Sequence, residues 1–307
     1  MPASGEVDPD DLAQWCLTYL GSPPGAELSR SGNLSAVIAL RLVDGREAVV
    51  KIRPDSPRVA ACVEVQRRLF QAGYPCPRPM TDPAPFGSGL ATAEAYLPGG
   101  DPLPTSDAAT AFAEAFAWLI RLAPHPAEVP ALDPSPSWAD WNRPGDALWP
   151  RPEGDAVDLN QIEGPQWIDD AGRLARDRLR TGGAEPVIGH CDWLAGNLRW
   201  KGDTLLVVHD WDSVISDSED VLVGFAAALH PGRGASQLAT TDDSERFRVA
   251  YSRARDREFS TDEVQRFWAA GVWTRAIDAK YQYAVGMPIT SLSEQEARER
   301  LGRAGIG

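Results

Sequence analysis

The stretch over residues 187–213 constrains the fold more than any other part of the chain, because it sets polar residues between short apolar runs. Its sequence is VIGHCDWLAGNLRWKGDTLLVVHDWDS. The apolar runs at 187–188 and 205–208 are typical of short buried strands. Buried strands would leave the polar residues at their ends, where a cleft can use them. The pattern therefore predicts a site built on the loops that follow two strands.

The polar residues of this stretch have the types and the spacing that phosphoryl transfer needs. His190, Asp192 and Asn197 form the pattern HxDxxxxN, and Asp210 follows the second apolar run. Phosphoryl transfer requires a carboxylate near the acceptor hydroxyl and oxygen ligands that hold Mg²⁺ against the phosphates. In the protein-kinase pattern, the Asp of this loop accepts the proton, and the closing Asn and the later Asp bind the metal. The spacing in this chain matches that arrangement.

The sequences GHCDWLAGN and VVHDWDS resemble the loops of the aminoglycoside-phosphotransferase and choline-kinase superfamily, which is itself similar to protein kinases. The resemblance implies that Asp192 is the catalytic base and that His190 braces its loop. It implies that Asn197 and Asp210 are ligands of Mg²⁺, with ATP or GTP as the phosphoryl donor. Cys191 departs from the family, which usually has Gly at this position.

Upstream, a predicted hairpin carries a candidate phosphate-binding lysine. An Asp-Gly pair favours a tight turn between two β-runs, 36–42 and 47–52. Lys51 lies near the end of the second run and resembles the strand lysine that holds the α- and β-phosphates in such kinases. Residues 57–72 are predicted to form a helix, on which Glu64 resembles the glutamate that fixes this lysine by an ion pair. The alternatives are a solvated lysine and an exposed helix glutamate.

Two further segments would complete a nucleotide site. The sequence SRSGNLS, which contains Ser31 and Gly32, lies where a phosphate-covering loop belongs, and its small residues let backbone N–H groups approach anions. Because Gly32 is its only glycine, an ordinary turn is the alternative. The strand predicted at 90–97 resembles the hinge of the family, whose main chain reads the adenine edge. The groups implied are the carbonyl of Ala93 and the N–H of Ala95, and a core strand without that role is the alternative.

The chain is predicted to be an α+β protein with two lobes. A Pro-Gly-Gly sequence at 98–100 separates a β-rich part from a part with long Ala-rich helices. We predict an N-terminal nucleotide-binding lobe over 1–98 and a C-terminal catalytic and acceptor-binding lobe over 99–307. The resemblance implies the bilobal protein-kinase-like fold. Helices are predicted at 9–20, 110–122, 165–179 and 221–229, whereas the Pro- and Trp-rich segment 123–164 is not assigned a structure.

The composition limits the partners and the compartment. A formal net charge of −14 repels nucleic-acid phosphates and anionic membrane surfaces, so we expect neither as a partner. The sequence has no apolar stretch of the roughly 18 residues that a membrane span needs, and its start resembles no secretory signal. The four cysteines are scattered without a CxxC pair, which is typical of reduced thiols. We expect a cytoplasmic protein, and the sequence carries no signal of its oligomeric state.

The expected acceptor is a small hydroxylated molecule, and an amine-bearing one is preferred. Tryptophans of the helical lobe can stack on a sugar face or surround a quaternary ammonium, and carboxylates can pair with amines. The acidic candidates are Asp140, Glu163, Asp169 and Asp170. An amino sugar or aminoglycoside is preferred over a neutral sugar, homoserine or a choline-like alcohol.

Two other classes of protein stay open. A non-catalytic nucleotide-binding regulatory protein can share the same fold, since fold does not fix function. A hydrolase could use Asp192 and Asp210 as paired carboxylates. The hydrolase does not explain Asn197 or the lysine of the hairpin, and a degenerate binding protein would be expected to have lost a catalytic or metal-binding residue. The residue types therefore favour a kinase.

Overall fold

The computed structural model describes residues 7–32, 35–151, 157–232 and 237–306 of the 307-residue chain. An N-terminal antiparallel sheet with two helices is followed by a larger, mainly helical part. This arrangement confirms the predicted α+β architecture. None of the helices within the described ranges is both long enough and apolar enough to cross a membrane.

The N-terminal sheet has the strand order β1-β2-β3-β5-β4, and all neighbouring strands are antiparallel. The strands are β1 (Pro24–Ser31), β2 (Ala36–Leu42), β3 (Glu47–Pro54), β4 (Ala84–Phe86) and β5 (Gly89–Ala95). The β2–β3 pair is the predicted hairpin, and its turn contains Gly45 at φ +88°, which glycine adopts without strain. Sequence analysis does not predict β1, because this edge strand is mostly exposed and lacks an apolar alternation.

Two helices accompany the sheet, α1 (Pro9–Leu20) and α2 (Arg58–Gln71). The helix α1 begins after Asp8, whose carboxylate accepts the N–H groups of Asp10 and Asp11. The apolar side chains of α1 pack with those of the sheet in one core. Four buried residues of α2, Ala61, Cys62, Val65 and Leu69, belong instead to the larger core of the C-terminal part. The helix α2 is therefore bound mainly to the following lobe.

Helices form most of the C-terminal part. They are α3 (Ala108–Leu122), α4 (Gln166–Leu179), α5 (Glu219–Leu229), α6 (Thr241–Arg255), α7 (Thr261–Ala284) and α8 (Glu294–Arg303). The long helix α7 is buried over most of its length because α4, α5 and α8 pack around it. Gly224 of α5 allows the close approach of α7, since a Cβ at this position would lie 2.3 Å from the carbonyl oxygen of Phe267.

Four short strands carry the loops singled out in the sequence. The strand β6 (Pro186–His190) pairs with β9 (Val214–Ser218), and β7 (Leu198–Lys201) pairs with β8 (Thr204–Val208). These two antiparallel pairs bring together the loops 191–197 and 209–213. The described residues of the segment 123–164 form three short 3₁₀ turns beyond the end of α3.

Candidate active site

The loop after β6 holds Asp192 and Asn197 in direct contact. The Asn197 Nδ2 donates to the backbone oxygen of Asp192 at 2.9 Å and to its Oδ2 at 2.7 Å. No donor from the described ranges contacts the other carboxylate oxygen, Oδ1. The Asp192 side chain is half-buried. One oxygen of this carboxylate is thus fixed by the protein, and the second is available to a ligand.

The imidazole of His190 connects this loop to the loop that contains Asp210. Its Nε2 lies 2.9 Å from the carbonyl oxygen of Asp210 and 3.2 Å from that of His209, so this nitrogen carries the proton and donates. Its Nδ1 accepts the N–H of Asp192 at 3.2 Å. Burial lowers the pKa of His190, which keeps the ring in the neutral form that donates at one nitrogen and accepts at the other.

The carboxyl group of Asp192 has an unusually high pKa. Burial raises the pKa of Asp192 to about 7, and the nearby charge of Asp210 adds to the rise, while the hydrogen bond from Asn197 opposes it. A general base works best when its pKa lies near the working pH, because it is then both deprotonated and basic. The environment of Asp192 therefore suits proton transfer near neutrality.

Asp210 and Asn197 offer the kind of oxygen atoms that Mg²⁺ prefers. Asp210 has a left-handed backbone conformation, with φ +61° and ψ +52°, and its Oδ2 accepts the hydroxyl of Ser213 at 3.2 Å. The Asn197 amide nitrogen donates to Asp192, and its amide oxygen, which accepts no hydrogen bond from the described residues, can face a cation. No group of three or more His, Cys, Asp or Glu within the described ranges could hold a metal ion by itself. A Mg²⁺ ion would therefore take its remaining ligands from phosphates and water.

Lys51 of β3 is buried beside Glu94 of β5. Its ammonium nitrogen lies 3.4 Å from Glu94 Oε1, and Gln66 of α2 donates to Glu94 Oε2 at 2.9 Å. Burial by itself lowers the pKa of Lys51, but the charges of Glu94, Asp212 and Asp210 outweigh it and raise the pKa. Lys51 is thus a charged ammonium group held between the sheet and the loop of Asp210.

The predicted ion pair between Lys51 and Glu64 is wrong. Glu64 binds Arg67 and Arg68, each at 2.8 Å, on the outer side of α2. The buried stripe of this helix has the i, i+3, i+4, i+7 spacing and contains Cys62, Val65, Gln66 and Leu69. Glu64 falls outside this stripe, whereas Gln66 falls within it and reaches Glu94. Helical periodicity in the sequence was therefore a signal for Gln66 as the inward-facing polar residue.

The predicted phosphate-covering loop begins at the end of β1. Ser31 is the last residue of β1 and lies in the same cross-strand row as Lys51, with β2 between them. A strand spacing of about 4.8 Å separates their backbones by roughly 10 Å. Gly32 has φ +133°, and a Cβ there would lie 1.8 Å from the carbonyl oxygen of Ser35, so this position requires glycine. Residues 33–34 of the predicted loop lie outside the described residues.

The backbone groups predicted to read adenine are engaged elsewhere. The Ala93 carbonyl accepts the N–H of Met80 at 2.7 Å, and the Ala95 N–H donates to the carbonyl of Arg78 at 2.9 Å. Sequence analysis does not detect this pairing along the edge of β5. The next groups on that edge are the Ala95 carbonyl and the Leu97 N–H, which have no backbone partner within the described part of the chain. They replace the Ala93 carbonyl and the Ala95 N–H as candidates.

The acidic residues suggested for the acceptor lie in different environments. Asp169 is engaged by a lysine and a tryptophan, Asp170 forms a surface ion pair, and Glu163 is exposed. Asp140 is half-buried, and burial raises its pKa. Of these four carboxylates, Asp140 alone is both partly buried and without an ion pair among the described residues.

Sequence reasoning misses a further carboxylate, that of Asp278, whose charge interacts with that of Asp192. This residue lies on α7, is half-buried, and forms no hydrogen bond or ion pair with the described residues. Burial and the charge of Asp192 raise the pKa of Asp278 to about 7. Asp278 lies between Arg275 and Lys280 in the second half of α7, so the sequence around it has no apolar pattern that would have singled it out.

Comparisons with known proteins identify the family and the fold of this chain. A family model described as a phosphotransferase enzyme family matches residues 26–267. No curated protein matches the sequence. A solved amicoumacin kinase, bound to AMP-PNP and Ca²⁺, has a TM-score of 0.59 at 11% identity and covers 95% of this chain and 92% of its own.

Two further solved structures share the fold. A spectinomycin phosphotransferase in complex with ADP and spectinomycin has a TM-score of 0.59 at 10% identity, covering 96% of this chain and 94% of its own. A choline/ethanolamine kinase family protein from Mesorhizobium loti has a TM-score of 0.54 at 15% identity, covering 92% of this chain and 87% of its own. At these identities the likeness establishes the bilobal kinase-like fold.

Proposed function

Because the chain belongs to the phosphotransferase enzyme family, we propose that it transfers the γ-phosphoryl group of ATP or GTP to a hydroxyl group of a small molecule, with Mg²⁺. One observation carries this proposal, the convergence of the required groups on Asp210. The charge of Asp210 acts on both Lys51 and Asp192, and His190 joins its loop to that of Asp192. These contacts support a site in which a cation for phosphates, a base and oxygen ligands for a metal act together.

Each residue of this site would have a separate role in the reaction. Lys51 would neutralise charge on the phosphates, and the free oxygen of Asp192 would accept the proton of the acceptor hydroxyl. Asn197 and Asp210 would hold Mg²⁺, which neutralises the charge that develops on the phosphoryl group. His190 would hold the loop of Asp192 and the loop of Asp210 in a fixed relative position. The charged ammonium of Lys51 and the raised pKa of Asp192 are consistent with these roles.

The nucleotide would be bound mainly by the N-terminal lobe, over residues 1–98. The Ala95 carbonyl and the Leu97 N–H would read the adenine edge, and Ser31 and Gly32 would approach the phosphates. The C-terminal lobe, over residues 99–307, would bind the acceptor. We place the activity in the cytoplasm, whose reducing conditions suit the four free, buried cysteine thiols.

An amine-bearing acceptor, an amino sugar or aminoglycoside, fits this site best. The carboxylate of Asp278 interacts with the charge of Asp192 and forms no ion pair within the described residues, and the charge of Arg275 only partly opposes the rise of its pKa. An ammonium group on the acceptor would supply a counter-ion and would stabilise the charged form of Asp278. The net charge of −14 also attracts cationic substrates to the protein.

Replacement of the base tests the reaction. Asp192→Ala should lower acceptor-dependent turnover by at least about 10²-fold, because a positioned base contributes that much. Affinity for Mg·ADP should persist, since Asn197 and Asp210 remain. Release of ADP should be measured with a panel of amino sugars, aminoglycosides, choline and homoserine, and binding by calorimetry.

The control for this experiment is Asp210→Ala, which should weaken Mg·ADP binding as well as turnover. An Asp192→Ala variant with full turnover would exclude Asp192 as the base. A wild-type protein that binds Mg·ADP but turns over no acceptor of the panel would favour a non-catalytic nucleotide-binding protein.

A further inference from the structure

Two arginines from the N-terminal part of the chain hold the segment that follows Asp210. Arg58, the first residue of α2, donates its Nη1 to the carbonyl oxygen of Asp212 at 2.6 Å and its Nη2 to that of Val214. Arg53 of β3 forms an ion pair with the carboxylate of Asp212, and only 9% of its side chain is exposed. The segment 212–214 is therefore anchored at both its backbone and its side chain.

This anchored segment fixes the orientation of Asp210. The N–H of Ser213 donates to the Asp210 carbonyl at 3.0 Å, and the Ser213 hydroxyl donates to Asp210 Oδ2 at 3.2 Å. The Ser213 carbonyl accepts the N–H of Cys191 at 2.9 Å, next to the base. A displacement of Ser213 would thus move the proposed metal ligand and would disturb the loop of Asp192.

The arginines also connect this segment to the elements that bind phosphate. Arg53 lies two residues after Lys51 on the same strand, and side chains two residues apart on a strand point to the same face. The helix α2 contributes four buried residues to the C-terminal core, and its first residue is Arg58. The contacts therefore join β3, α2 and the loop of Asp210 into one unit.

We propose that Arg53 and Arg58 are positioning residues for the metal, which orient Asp210 and so set the affinity for the Mg²⁺–nucleotide complex. This inference rests on the proposed function. Arg58 links α2 to the loop of Asp210, whereas Gln66 of the same helix reaches Glu94 beside Lys51, the link that the sequence assigns to Glu64. Neither arginine contacts the metal in this role, since both act through the segment 212–214.

A purely structural role makes a different prediction. If Arg58 only stabilised the fold, its removal would lower the free energy of unfolding and would leave the Mg²⁺-dependent part of nucleotide binding unchanged. The informative quantity is therefore the ratio of ADP affinities measured with Mg²⁺ and with a chelator. A loss of general nucleotide affinity cancels in this ratio, whereas a misplaced metal ligand does not.

The experiment is calorimetric titration of ADP into the full-length protein, with and without Mg²⁺. Arg58→Ala should lower the affinity ratio by about 10-fold or more, because partners that orient a metal ligand are typically worth that much. Arg58→Lys, which keeps the charge but not the two separate nitrogens that reach two carbonyls, should restore part of the ratio. The matched control is Arg67→Ala, since Arg67 is on the same helix and binds Glu64 and Asp82 instead.

Several outcomes would overturn the inference. The inference is overturned if folded Arg58→Ala protein has the wild-type ratio of ADP affinities, which includes the case of an equal loss of affinity with and without Mg²⁺. If Arg58→Ala does not unfold cooperatively on heating, the same ratio is measured on Arg58→Lys, and an unchanged value there also overturns it. A wild-type protein that binds no ADP under either condition would instead overturn the proposed function itself.

Discussion

The ammonium group of Lys51 shows how one buried charge is stabilised in this site. A charge without a counter-charge in a protein interior costs several kcal/mol, so its nearest partner matters to folding as well as to function. Glu94 supplies that partner from the adjacent strand, and Gln66 holds the second carboxylate oxygen of Glu94. Glu64, which has the same carboxylate, is occupied on the outer side of α2.

The two glutamates should therefore differ in their effect on stability. Glu94→Gln should lower the free energy of unfolding by about 2–3 kcal/mol, because it leaves the Lys51 ammonium with weaker compensation. Glu64→Gln should change it by less than about 1 kcal/mol, since its ion pairs are partly exposed. Urea denaturation of Glu94→Gln and Glu64→Gln measures these changes, and adding Lys51→Met and the double variant Glu94→Gln with Lys51→Met gives the coupling between Lys51 and Glu94. Equal losses of unfolding free energy in Glu94→Gln and Glu64→Gln would contradict the assignment of Glu94 as the partner of Lys51.

The second residue-scale prediction concerns the acceptor and Asp278. Asp278→Asn should raise KM for an amine-bearing acceptor by about 10-fold or more, because the ammonium group loses the negative charge of its partner and keeps at most a weaker hydrogen bond to the amide oxygen. KM for the nucleotide should not change, and a neutral acceptor should be affected little. Asp170→Asn is the control, since Asp170 pairs with Arg173 on the surface. Equal losses for amine-bearing and neutral acceptors would contradict the role of Asp278.

At the scale of elements, local patterns in the sequence predict structure well where the partners are close in the chain. The β2–β3 hairpin follows from two apolar runs around an Asp-Gly turn, and α1 and α2 follow from helical spacing. The loops of Asp192 and Asp210 follow from one short stretch. In each case the residues that determine the element lie within it.

Elements whose partners are far apart in the chain could not be predicted in this way. The contact of Arg58 with Asp212 spans 154 positions, and no periodicity within either segment encodes it. The segment around Arg78 binds the edge of β5 and occupies the backbone groups that were predicted to read adenine. This pairing is also a tertiary contact that neither segment encodes by itself. Tertiary contacts therefore decide which of several similar residues reaches the site.

The packing of α5 against α7 depends on a buried ion pair. Asp220 Oδ2 lies 2.7 Å from Arg266 Nε, and both side chains are almost fully buried. Asp220→Ala should lower the free energy of unfolding by about 3–5 kcal/mol, because the Arg266 charge loses its buried partner. Asp262 is an exposed partner of the same arginine, so Asp262→Ala should lower the free energy of unfolding by less than about 1 kcal/mol.

Urea unfolding followed by circular dichroism measures both changes. The double variant Asp220→Leu and Arg266→Met should recover most of the loss, since an apolar pair of similar volume replaces a buried ion pair at little cost. A small effect of Asp220→Ala, or no recovery in the double variant, would show that other contacts hold α5 against α7.

At the scale of the whole molecule, buried groups with shifted pKa values make opposite contributions to acid stability. Burial raises the pKa of Asp217 to about 6, so the folded protein binds this proton more tightly and gains stability as pH falls from about 6 towards 4. Burial lowers the pKa of His230 to about 4, so the unfolded chain binds this proton more tightly and stability is lost as pH falls below about 6.5. The two effects partly cancel in the wild-type protein.

Substitution separates these opposing effects. His230 is fully buried between the rings of Phe112 and Phe247, so His230→Phe removes a titrating group while keeping an aromatic ring. Relative to the wild type, this variant should gain up to about 3 kcal/mol as pH falls from 7 to 4, since it escapes the protonation of His230. Asp217→Asn should show the opposite trend and lose relative stability over the same range. Urea unfolding at several pH values measures both profiles, and a His230→Phe profile parallel to that of the wild type would exclude His230 as a source of acid sensitivity.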